Sequence, residues 1–113
     1  MKRYLICLEK NRLSDLGLKE FCPLIQQISL VDKSAGYDLA SFRGTGKHPE
    51  NRIYIEVKGT KRNYVDFIWT RNEKLVAGQL KKKYWLYVYT NVDTQHETRN
   101  NFMQKIHAGA VLS

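Results

Sequence analysis

The chain has 113 residues, 42% hydrophobic and 12% aromatic, which is enough for one small core. No apolar run approaches the ~18–20 residues that cross a bilayer, so a membrane-spanning helix is excluded. Lysine and arginine outnumber aspartate and glutamate 19 to 11, and the resulting +8 suits a polyanionic partner as well as plain solubility.

The opening stretch, Met1 to Leu8, has the charged start of a signal peptide. Glu9-Lys10-Asn11-Arg12 interrupts its apolar run and no small-residue cleavage site follows, so the expectation is a cytoplasmic protein. Cys7 and Cys22 form no metal-ligand spacing with each other or with His48, His96 and His107, which argues against structural zinc and for two reduced thiols.

Residues 3–16 read as a helix with Leu5, Ile6, Leu13 and Leu16 on one face, ended by Gly17. Glu9 falls in the middle of that stripe. Either it meets a cation or a metal there, or the helix is rotated so that Glu9 sits at the edge of the stripe. Past Pro23, residues 27–31 alternate as a strand, 33–36 form a turn, and 37–42 form a second strand. Residues 44–51 have hairpin-loop chemistry. Arg52 to Lys58 is the clearest strand, with Ile53, Ile55 and Val57 on one face and Arg52, Tyr54, Glu56 and Lys58 on the other.

Thr70-Arg71-Asn72-Glu73 spells a capping box, followed by a helical stripe of Leu75, Val76, Ala77 and Leu80. This structural role suffices for Glu73. Tyr84 to Val92 is an aromatic-rich strand, and the tail from Thr94 to Ser113 holds at most a short helix. The order is α-β-β-β-α-β in one domain, with a core over about 3–92 and a C-terminal extension over 93–113. The third and last strands should be parallel, joined through the helix, and the earlier ones antiparallel.

The positive charge is concentrated. Residues 42–83 carry eleven basic and four acidic side chains, leaving the rest of the chain nearly neutral. Such a segment is either a phosphate-tracking surface or a solvated basic face.

Asp38, Glu56 and Lys58 carry the candidate chemistry. Glu56 and Lys58 share a strand face, and the hairpin can bring Asp38 beside Glu56. Two carboxylates about 4 Å apart repel by roughly 4 kcal/mol at an effective dielectric near 20, and a divalent cation allows both to stay ionised. Oxygen ligands with room for water suit Mg²⁺ or Mn²⁺. A lysine beside such a pair completes a site for phosphodiester hydrolysis by an activated water. The plainer reading is a salt-bridged strand pair.

The longer wording goes further: Ser34-Ala35-Gly36-Tyr37-Asp38-Leu39-Ala40-Ser41-Phe42, then Ile55-Glu56-Val57-Lys58-Gly59-Thr60, then Thr70-Arg71-Asn72-Glu73 with Ala77, then Tyr84-Trp85-Leu86-Tyr87-Val88. Over roughly residues 4–92 the chain resembles the domain of unknown function at the C-terminus of the plant NO VEIN protein, also found in bacterial restriction-associated proteins. That family is related to the PD-(D/E)xK and Mrr-like nucleases. The resemblance implies an α/β, restriction-endonuclease-like core, a mixed sheet flanked by helices. It also implies a metal site of Asp38, Glu56 and the Val57 carbonyl, with Lys58 as the motif lysine and Glu9 as a supporting acid from the first helix. The family's upstream Gly-Glu pair has no counterpart near Met1-Lys2.

Two functions follow as expectations. One is a Mg²⁺- or Mn²⁺-dependent endonuclease acting on DNA in restriction or defence. In it Lys47, Lys61, Arg62, Lys81, Lys82 and Lys83 follow the phosphates, and Tyr54, Tyr64, Trp69 and Trp85 either stack on bases or fill the core. The other is a catalytically silent module of the same fold that binds nucleic acid or docks to a subunit. The motif's placement beside other domains in larger proteins points to a homodimer or a partner subunit.

Overall fold

A computed structural model describes residues 2–28, 31–32, 34–64, 67–90 and 102–107. Its elements run α1 (Lys2–Asp15), β1 (Gln26–Gln27), β2 (Leu39–Phe42), β3 (Arg52–Gly59), α2 (Arg71–Leu80), β4 (Tyr84–Thr90) and β5 (Phe102–His107). Short 3-10 helices occupy Lys19–Leu24 and Lys81–Lys83. The strands form one sheet in chain order, with β3 and β4 parallel and every other neighbouring pair antiparallel.

The period-two alternation of β3 builds the two sides of this sheet. Ile53 and Ile55 go to one side, where they pack with Leu5 of α1, Leu39 and Tyr87. On the other side Tyr84, Leu86 and Val88 of β4 pack with Ala77 of α2, flanked by Val76, Leu80, Phe67 and Trp69. Glu56 and Lys58 share that second side by the same alternation. The result is a mixed α/β fold with a sheet between two helices, as the element order implied.

Local signals end the helices where expected. Gly17 (φ 76°) closes α1: its amide bonds to Ser14 O at 3.0 Å and the Leu18 amide to Leu13 O at 2.8 Å, the paired bonds of a left-handed helix stop. The box at Thr70 forms in both directions, the Glu73 amide donating to Thr70 Oγ1 at 3.1 Å and the Thr70 amide to Glu73 Oε1 at 2.9 Å.

Three expectations need correction. Leu16 is 44% exposed because α1 stops at Asp15, so this side chain leaves the buried stripe and rests over Gly44. The strand expected at 27–31 is only Gln26–Gln27; the chain then turns, with the Asp32 amide bonding back to Ile28 O at 2.8 Å, while Ser29 and Leu30 lie outside the described residues. The tail holds a strand where a short helix was expected. β5 pairs with the side of β4 that β3 leaves open, so tertiary hydrogen bonding outweighs a weak local pattern. Asn91 and Val92 of the last predicted strand, and residues 94–101, lie outside the described residues.

Candidate acid–lysine site

Asp38 stands just before β2, and its position is set by the turn ahead of it. Gly36 has φ 81°, and a Cβ there would lie 2.6 Å from Val76 Cγ2 of α2, so this turn requires glycine. Its carbonyl accepts a 2.6 Å bond from the buried Tyr84 hydroxyl. The Asp38 amide then bonds to Ile55 O at 2.8 Å, and its Oδ2 accepts from the Val57 amide at 2.9 Å. With Leu39 paired to Ile55, continuing the register puts Asp38 opposite Glu56.

Asp38 and Glu56 are both buried, at 6% and 7% exposure. Burial pushes the Glu56 carboxyl up to about 9, helped by hydrogen bonding to Glu73 and by the negative charge and hydrogen bonding of Asp38. At neutral pH Glu56 therefore holds a proton and donates it toward its acidic neighbours. Burial alone would raise Glu73 too, but hydrogen bonds from Glu56, Lys58 and the Thr70 amide hold it below the usual carboxylate range. Burial, reinforced by the neighbouring Glu56 and Glu73 carboxyls, pushes the Tyr84 phenol up.

Lys58 completes the cluster. Its Nζ lies 2.7 Å from Glu73 Oε1 and 3.6 Å from Glu56 Oε2. The shorter contact goes to the ionised acid, the longer to the protonated one. Glu73 is thus the residue that sequence reading missed. The capping box explained it fully on its own, and only the docking of α2 onto the sheet shows that the same oxygen also meets Lys58.

Glu9 is not brought to this cluster. It is 1% exposed on the side of the sheet that α1 covers, where Arg12 donates to both its oxygens at 2.8 and 3.1 Å and the Tyr87 hydroxyl adds a bond at 3.1 Å. The cation expected for Glu9 is therefore Arg12, one turn along the same helix. Arg12 also donates to the carbonyls of Phe42 and Arg43, tying α1 to the end of β2.

The basic residues divide between the two ends of β3. Lys61 and Arg62 follow the end of the strand, where Arg62 lies 5.6 Å over the Tyr64 ring and donates to its hydroxyl. Lys47, in the loop before β3, and Lys81, Lys82 and Lys83, ahead of β4, are exposed at its beginning. Tyr54 packs edge-on against Tyr37 with ring centres 4.9 Å apart, while Trp69 and Trp85 are half-buried against the two cores and Tyr64 is exposed.

Asp38 and Glu56 are hard oxygen donors, and two carboxylates with retained water fit Mg²⁺, which seldom needs an all-protein cage. Glu56 carries a proton that such an ion would replace. Among the described residues no three His, Cys, Asp or Glu side chains form a ready-made metal cage.

A family model described as Protein NO VEIN, C-terminal matches residues 2–101. No curated protein and no solved structure matches the chain.

Proposed function

From the premise that this chain belongs to the NO VEIN C-terminal family, we propose that it is a metal-dependent nuclease with a restriction-endonuclease-like core, hydrolysing phosphodiester bonds in DNA. The observation that carries this reading is that Asp38, just before β2, stands opposite the buried Glu56 of β3 in register, with Lys58 beside Glu56 on the same side of the sheet. The helix, three-strand meander, crossover helix and parallel strand support the core assignment.

Asp38 and Glu56 would hold Mg²⁺ or Mn²⁺, with the Val57 carbonyl as the third position implied by the family. Such an ion supplies charge neutralisation at the phosphate and a more acidic bound water. The chain's own groups do the rest. The Val57 amide fixes the Asp38 carboxylate, and Glu73 holds the Lys58 ammonium beside Glu56. From there Lys58 orients the attacking water and steadies the charge that builds on the phosphate oxygens. Lys61 and Arg62 at one end of β3, and Lys47 with Lys81–Lys83 at the other, supply cations for the strand backbone.

One observation favours a second reading, a silent binding or docking module. Lys58 is paired at 2.7 Å with the Glu73 carboxylate, which compensates the charge that hydrolysis needs.

Calorimetric titration with Mn²⁺ and cleavage assays on plasmid, single-stranded DNA and RNA separate the two. The nuclease binds Mn²⁺ and cuts, and folded Asp38→Ala and Lys58→Ala variants lose the cutting. Salt-sensitive nucleic-acid binding that is indifferent to Asp38→Ala, with no cleavage in either metal, selects the second reading.

A further inference from the structure

We propose that the end of the sheet where β3 and β4 begin carries a pocket, separate from the acid–lysine cluster, for an unpaired nucleobase together with its phosphate. The pocket lies beside the start of β3 and β4. A cavity of about 380 Å³ is walled by Arg43, Arg52, Lys82, Lys83, Ile53 and Trp85, within the size range of small-ligand sites. A second cavity of about 320 Å³ shares Arg43, Ile53 and Trp85 and so adjoins the first.

The wall combines two chemistries. Trp85 and Ile53 give an apolar surface backed by the core that Leu5, Leu39, Ile55 and Tyr87 build. Four cations surround it, and no acidic side chain is among the described lining residues. Arg52 is held in place, bonding to Leu24 O at 2.9 Å and lying 4.2 Å over the Phe42 ring. An indole beside guanidinium and ammonium groups suits a planar base carrying a phosphate, since the ring stacks and the cations meet the anion.

Backbone strain marks the same place. Lys81 has φ 52° and ψ −119° without being glycine, a strained conformation that delivers Lys82 and Lys83 to the cavity rim. The pocket is distinct from the acid–lysine cluster: Glu56 is three residues beyond Ile53 along β3, roughly 10 Å, and points to the face opposite Ile53. The inference therefore does not depend on hydrolysis.

The chemistry is shared by a free nucleotide and by a nucleotide unit of a single strand, so the test uses both. Tryptophan fluorescence of the whole chain is titrated with adenosine monophosphate, a short oligo-deoxyadenylate and inorganic phosphate. Saturable quenching by either nucleotide is expected, absent in Trp85→Phe although Trp69 remains. Arg43→Ala with Lys83→Ala should weaken it about tenfold or more. Glu56→Gln, which strikes the proposed nuclease site, should leave binding unchanged, so the two readings fail separately. Quenching by the oligonucleotide alone identifies a strand as the source, and quenching by the mononucleotide alone a free nucleotide. No saturable quenching by either, quenching that persists in Trp85→Phe, or equal affinity for inorganic phosphate overturns the proposal.

Discussion

Lys58 on β3 and Glu73 in the first turn of α2 meet at 2.7 Å, through the same carboxylate oxygen that accepts the Thr70 amide in the capping box. One side chain thus joins helix initiation to the charge state of the candidate site. Thr70→Ala removes only the cap and should cost about 1 kcal/mol in urea unfolding. Glu73→Gln keeps an oxygen for the Thr70 amide but removes the charge facing Lys58, so it should also lower the Glu56 pKa. Carboxyl titration followed by carbon-detected NMR checks this. An unmoved Glu56 in Glu73→Gln would show that the two acids are not coupled.

Glu56 also gives the stability a pH dependence of definite sign. Its carboxyl is raised to about 9 in the folded protein from an ordinary value near 4.5 when unfolded. Between those values the folded state holds a proton that the unfolded state has lost. Stability from this group is therefore full below the unfolded value and declines as pH rises toward 9, at up to about 1.4 kcal/mol per unit. Unfolding midpoints measured from pH 5 to 9 should fall in the wild type and change much less in Glu56→Gln. On the proposed function, millimolar Mn²⁺ should flatten the wild-type decline, because the ion takes the place of the proton.

Glu9 and Arg12 form a structural pair. Arg12→Ala leaves a carboxylate that is 1% exposed without its cation and frees the carbonyls of Phe42 and Arg43, so a loss of about 3–5 kcal/mol is expected. The double variant Glu9→Leu with Arg12→Met should lose clearly less, because no charge is left buried. Urea midpoints for the two proteins decide it, and equal losses would mean that Glu9 does not depend on Arg12.

Gly36→Ala tests how Asp38 is positioned. The new methyl would sit 2.6 Å from Val76 Cγ2 at a φ of 81°, so roughly 2 kcal/mol or more of destabilisation is expected. Restoring space with Val76→Ala should recover part of that loss, although the strained φ remains. No recovery in the double variant would place the whole cost in the backbone.

Much of the fold was legible in local chemistry. The alternation of Ile53 to Lys58, the Thr70 box and Gly17 each act through neighbours within a few residues, so one strand and two helix boundaries could be read directly. The tail could not: β5 forms because β4 offers unpaired backbone groups, and nothing within residues 102–107 carries that information. The juxtaposition of Asp38 and Glu56 was readable because a hairpin register links them.

What the sequence determined alone was therefore the list of acids and the lysine, and the strand face that Glu56 and Lys58 share, because side-chain direction along a strand is fixed by its period. Tertiary packing decided their partners. Docking of α2 brought Glu73 onto Lys58, and the sheet between the two helices kept Glu9 with Arg12 on the far side, since charges buried from water bind whichever opposite charge the packing places nearest.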